Sequence, residues 1–102
     1  MAFGTIEKPP VPDAGILRGT QKKAAVKCWF TASGRAIPLS MKLEDENGEI
    51  LRIGEIRVKT CEKKYYAGIV SWEYVCSIQW RGRAVEAVLL FQPETCCWKL
   101  II

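Results

Sequence analysis

Residues 70–102, VSWEYVCSIQWRGRAVEAVLLFQPETCCWKLII, decide the fold. Trp72, Tyr74, Cys76, Ile78 and Trp80 alternate with Ser71, Glu73, Val75, Ser77 and Gln79. Successive side chains of a strand project to opposite faces, so a period of two over this length predicts a half-buried β-strand. Arg81-Gly82-Arg83 closes a hairpin, after which Val85, Ala87, Leu89 and Phe91 alternate with Glu86, Val88 and Leu90. Val88 and Leu90 make both faces apolar near the end of this strand, the pattern of a strand covered on two sides. Residues 92–95 turn the chain again, and a last strand sets Cys96, Trp98, Leu100 and Ile102 opposite Cys97, Lys99 and Ile101. Trp72, Trp80 and Trp98 all fall in the inward phase, which makes this meander a scaffold.

Working outward, the chain upstream repeats the same grammar. Val26, Cys28 and Phe30 alternate with Lys27, Trp29 and Thr31; Ser33-Gly34-Arg35 turns the chain; Ile37, Leu39, Met41 and Leu43 alternate with Pro38, Ser40, Lys42 and Glu44. These two runs are expected to pair as a hairpin, with the missing donor of Pro38 turned outward or marking an edge. Asp45-Glu46-Asn47-Gly48 supplies the next turn through its Asn-Gly step. In the third run Leu51 and Ile53 occupy odd positions but Ile56 and Val58 even ones, and a glycine at that slip, Gly54, predicts a β-bulge. Residues 62–68, EKKYYAG, are too long for a tight turn and are expected to form the most mobile internal loop.

No segment carries an apolar stripe of helical period. The expected fold is all-β: a single antiparallel meander of about six strands, curled into an SH3-like or similar small barrel. Residues 24–102 form that domain. Residues 1–23 form an N-terminal arm with Pro9, Pro10, Pro12 and three glycines, either a flexible lead, as untethered termini usually are, or an arm docked through Ile16 and Leu17.

Composition excludes more than it suggests. The chain has 102 residues, enough for one core. Its longest apolar runs fall far short of the ~20 residues of a membrane-spanning helix, and the N-terminus lacks the basic-then-apolar order of a signal peptide. A cytoplasmic protein without membrane contact is expected, with its five cysteines as reduced thiols. The net charge of +4 is split evenly between the first 23 residues and the body, too balanced for a dedicated binder of phosphate backbones.

No histidine is present, which removes Ser-His-Asp and Cys-His catalysis and imidazole zinc ligands. The cysteines contain no CxxC pair, and adjacent Cys96 and Cys97 point to opposite faces of a strand, so no metal site is expected. Cys97 is the candidate reactive thiol because Lys99 shares its face, although a cysteine without a task is the commoner reading. Glu44, Asp45, Glu46 and Glu49 surround a turn and read as turn chemistry. Phosphate-binding glycine loops are absent. With no nucleophile, base and orienter in view, the chain is read as non-enzymatic, with no catalytic residue and no cofactor.

Aromatic and basic residues remain as the candidate interaction surface. Lys27 and Trp29 share an outward face of the first strand, Arg57 and Lys59 lie on the third, Tyr65 and Tyr66 in the loop that follows, and Arg81 and Arg83 flank Gly82. Such a set suits a module that binds a protein partner, or itself, through a sheet face or edge. The alternative is single-stranded DNA or RNA, stacked on Trp29 and neutralised by its basic neighbours. Against both stands the ordinary reading of solvated charges around a covered tryptophan.

The segments VKCWFTASGRAIPLSMKLEDENGE, ILRIGEIRVKT, YVCSIQWRGRAVEAVLLF and CCWKLII resemble a group of short uncharacterised proteins from Firmicutes and related bacteria. The likeness spans Ala24 to Ile102 and rests on turn glycines and core alternation. It implies a compact bacterial β-domain of unknown function and carries over no functional residue.

Overall fold

The computed structural model describes residues 19–102. Seven strands follow one another: β1 (Gln21–Phe30), β2 (Ala36–Glu44), β3 (Ile50–Ile53), β4 (Arg57–Tyr66), β5 (Ile69–Trp80), β6 (Arg83–Gln92) and β7 (Cys97–Ile101). They form one antiparallel sheet in the order β3-β2-β1-β7-β6-β5-β4, and no helix occurs among the described residues. The expected meander of β5, β6 and β7 is present, with Trp80 paired to Arg83 across the first turn and Phe91 to Trp98 beside the second.

The order of the strands forces the sheet to bend. β3 and β4 are consecutive in the chain yet lie at opposite edges, joined only by Gly54, Glu55 and Ile56. In a flat sheet six interstrand spacings of about 4.8 Å would hold those edges about 29 Å apart. So short a connection reaches only about 14 Å. The two halves therefore fold toward each other and enclose the core on the concave side. Two hydrogen bonds tie the fold-over: the Tyr74 hydroxyl donates to the Ala36 carbonyl at 2.5 Å, and the Ile56 N–H donates to the Leu39 carbonyl at 3.0 Å. β3 pairs only with Met41–Glu44, so these donors serve the part of β2 that β3 does not reach. The sheet is not closed into a barrel, since no ladder joins β3 to β4.

Three local expectations are corrected. Gly54 marks no bulge but the break at which one strand ends and the chain crosses to the other edge, so the expected third strand is two strands. The bulges lie elsewhere: the β1–β2 register slips between Lys27 and Cys28, leaving Leu39 as the extra residue, and the β4–β5 register slips between Val58 and Thr60 at Lys59. The first slip reverses the phase of β2, burying Ala36 and Pro38 and exposing Ile37, while Met41 and Leu43 keep their inward positions.

The third correction concerns residues 62–68, which are not a loop. Glu62 to Tyr66 continue β4 against Glu73 to Ile69 of β5, and only Ala67-Gly68 turn. Their φ values of 52° and 81° fit a two-residue turn with both central residues left-handed, as do those of Arg81 and Gly82, 51° and 81°. Gly68 and Gly82 take that conformation without the steric cost borne by Ala67 and Arg81.

β1 begins at Gln21, three residues before the expected domain start, because Gln21 to Ala24 pair with Ile101 to Trp98. The arm expected over residues 1–23 otherwise lies outside the described residues, as do Ile16 and Leu17.

The core gathers Met41, Leu43 and Ile53 from one half of the sheet and Tyr74, Cys76, Ile78, Leu89, Trp98 and Leu100 from the other, with Trp72 and Trp80 packed at its margin. Leu89 and Leu100 are fully buried, each worth about 1.5–3 kcal/mol relative to exposure.

Candidate functional site

The eight residues of the expected interaction surface do not converge. Lys27 and Trp29 lie on the convex face of β1, whereas Arg57, Lys59, Tyr65 and Tyr66 belong to β4, from which β7, β6 and β5 separate β1 in the sheet. Tyr65 and Tyr66 are successive strand residues and so face opposite ways. Several of the cations already have acidic partners: Arg57 meets Glu55 at 3.4 Å, Lys59 meets Glu86 at 3.0 Å, and Arg81 meets Glu46 at 2.6 Å while lying 5.6 Å from the Trp80 ring. Tyr66 donates to the Glu73 carboxylate at 2.6 Å, and the Lys63 ammonium lies 6.0 Å from the Tyr65 ring. Arg83 is exposed beside the β5–β6 turn.

Trp29 alone of the set stands out. It is 66% exposed and lies beside exposed Ile37 across the β1–β2 pair, with its neighbour Phe30 57% exposed. Trp29 and Ile37 form a small exposed apolar patch on the convex face of the hairpin, of the sort that marks contact surfaces, while Phe30 projects to the opposite face.

Next to that patch the sheet is incomplete. β1 has ten residues and β7 five, and their ladder stops at Ala24–Trp98. Beyond it no strand among the described residues pairs with residues 25–30 on the β7 side. Thr20 and Ile102 exchange both backbone hydrogen bonds, at 3.2 and 3.3 Å. By the alternation of antiparallel ladders, even-numbered residues of β1 therefore direct their N–H and C=O toward β7, and Val26, Cys28 and Phe30 direct theirs into the gap.

The gap opens into a cleft of about 780 Å³ lined by Val26, Cys28, Phe30, Phe91, Cys97 and Trp98, among others. Its aromatic wall runs inward in steps, with ring centroids 6.1 Å apart for Phe30–Phe91 and 4.6 Å for Phe91–Trp98. Lysines rim it. Lys23 and Lys99 are direct cross-strand partners, like charges side by side, a pairing that disfavours the sheet until an anion meets it. Lys27 follows on the same face.

Cys76 is fully buried, and desolvation with the nearby Glu86 charge pushes it up to about 11; burial also raises Cys28. Cys97 is exposed, with its sulfur 3.4 Å from the Thr95 carbonyl. Among the described residues no group of metal-ligating side chains forms, and no helix is long and apolar enough to cross a membrane.

The sequence pattern does not reveal Phe30, Phe91 and Trp98 as one surface. All three sit at inward positions; Phe91 and Trp98 are buried in the core, and only Phe30 is left exposed where β7 ends short of β1.

No family model matches the chain, and no curated protein or solved structure matches it.

Proposed function

We propose that the protein is a non-enzymatic interaction module that binds an extended protein segment at the open edge of β1. The observation that carries this reading is the run of residues 25–30, whose outward-directed backbone groups border an apolar, aromatic cleft. A strand entering there continues the line of β7, takes the free hydrogen bonds of Val26, Cys28 and Phe30, and sets alternate side chains against Phe91 and Trp98. Its other face meets Lys23, Lys27 and Lys99, which favours acidic residues at those positions. The segment comes from a partner or a second copy of the chain, in a reducing, cytoplasmic setting that suits five free thiols.

The test is selection from a random-peptide display library on the full-length protein, followed by amide chemical-shift mapping. The expected peptides alternate apolar and acidic residues, shift the resonances of Val26, Cys28 and Phe30, and bind at least about tenfold more weakly to Phe30→Asp, a loss of about 1.4 kcal/mol. Peptides that map elsewhere, or none retained, would sink the proposal. Single-stranded oligonucleotides that bind through Trp29 and weaken steeply with salt would replace it with the nucleic-acid reading.

A further inference from the structure

Cations gather unpaired on the outward face of one half of the sheet. Lys23 stands directly opposite Lys99, Ala25 opposite Lys42, and Lys42 opposite Arg52, so these side chains share one face from β7 through β1 and β2 to β3. Lys27 lies on the same face, two residues beyond Ala25. Among the described residues none of Lys23, Lys27, Lys42, Arg52 and Lys99 has an ion-pair partner, whereas Arg57, Lys59, Lys64 and Arg81 all have one. Lys23–Lys99 and Lys42–Arg52 are both like charges set face to face, a cost to the sheet that an anion lying between them reverses. Around Ala25 the face holds a shallow depression of about 640 Å³, lined also by Lys23, Lys42, Arg52 and Ile50, with Glu44 as its acidic residue.

This stripe begins where the open edge of β1 ends. The β1–β7 ladder stops at Ala24–Trp98, and Lys23–Lys99 is the next pair along it. A segment docked at residues 26–30 antiparallel to β1, the way each strand of this sheet meets its neighbours, runs toward Ala24 and reaches Cys97 at its C-terminal end. There it must leave the sheet. Phe91 and Trp98 fill the concave side, so the exit is outward, past Lys99 and Lys23. From Lys99 to Arg52 is three interstrand spacings across and two residues along, about 16 Å, which an extended chain crosses in about five residues. We propose that the protein segment docked at the β1 edge carries an acidic run directly after its strand-forming part. The run lies across the outward face from Lys99 and Lys23, over Ala25, to Lys42 and Arg52. It rests on docking at the β1 edge and adds the chain direction of the partner segment and its second contact. Complementary charge of this kind fixes direction and register as much as it adds affinity.

The experiment takes the peptides selected on the full-length protein and resynthesises each with four glutamates at its C-terminus, four at its N-terminus, or four serines at its C-terminus. Binding is measured by fluorescence anisotropy at low and high salt, to the native protein, to Lys42→Gln with Arg52→Gln, and to Phe30→Asp. Lys42 and Arg52 are exposed, so their replacement leaves the core untouched. The C-terminal glutamates are expected to tighten binding at least about tenfold at low salt, since exposed ion pairs that are weak singly add up along a run. That gain shrinks at high salt and vanishes in Lys42→Gln with Arg52→Gln, which binds the serine-tailed peptides as the native protein does. No gain, an equal gain from either terminus, or a gain that Lys42→Gln with Arg52→Gln leaves intact overturns the acidic run while docking at the edge stands. Serine-tailed peptides that bind Phe30→Asp as tightly as the native protein, or no peptide retained in the selection, overturn docking at the edge and the acidic run together.

Discussion

Replacing Tyr74 with phenylalanine probes the fold-over directly. The ring stays, with its centroid 5.7 Å from that of Trp98, and only the hydroxyl that donates to the Ala36 carbonyl is removed. Tyr74 and Ala36 are both buried, 38 residues apart in sequence, and on the two halves of the bent sheet. The carbonyl loses its hydroxyl donor where water has little access, so the cost is that of a buried acceptor left unmet, about 1–3 kcal/mol. For a domain of this size each kcal/mol lowers the melting temperature by about 4–8 °C, a fall of about 5–20 °C. The assay is urea denaturation followed by tryptophan fluorescence, with hydrogen exchange at Ile56 as a second readout. Exchange at Ile56 is expected to quicken, because its bond to Leu39 crosses the same junction. A loss under about 0.5 kcal/mol, with Ile56 unchanged, would refute the argument that these two donors hold the halves together.

Other expectations follow from the same geometry. Leu89→Ala, at a fully buried site facing both halves of the core, should cost about 2–5 kcal/mol in the same denaturation assay; under 1 kcal/mol would mean the core is loosely packed. Burial pushes the Glu73 carboxyl up, but the hydrogen bonds from Lys64 and Tyr66 and the Lys64 charge outweigh it and hold the group below its ordinary range. A depressed carboxyl stabilises the folded chain above its unfolded pKa of about 4.3, and that contribution fades as pH falls through the folded value. Glu73→Gln should therefore flatten stability against pH on the acid side, and parallel curves for the two proteins would contradict it. Ala67→Gly should raise stability by about 1 kcal/mol by relieving a left-handed alanine, visible as a higher melting temperature; no gain would show that the turn tolerates alanine without strain.

How much of this was legible beforehand varies along the chain. The alternation in residues 70–102 reads directly as three strands, because side-chain direction follows from position parity alone. Residues 62–66 were not legible as a strand. Their outward positions are Glu62, Lys64 and Tyr66, and polar residues there look like a loop until Glu73 across the pair accounts for them. The phase slip at Gly54 was visible but ambiguous, since a bulge and a strand break leave the same mark on parity. The bulge at Leu39 was invisible, because β2 is apolar at Ile37, Pro38 and Leu39 alike.

The sequence by itself determined the strand periods, most of the turns, the inward set of tryptophans and the absence of histidine chemistry. These depend on local stereochemistry and composition, which every residue carries with it. Tertiary structure alone decided that β1 pairs with β7, that the edge strands are β3 and β4, and that a three-residue crossing bends the sheet. It also decided that Phe30, Phe91 and Trp98 meet at an unpaired edge while Arg57, Lys59 and Arg81 are matched by acids. Pairing between residues as far apart in the chain as Gln21 and Ile101 leaves no local trace, since any strand of the right parity offers the same hydrogen bonds.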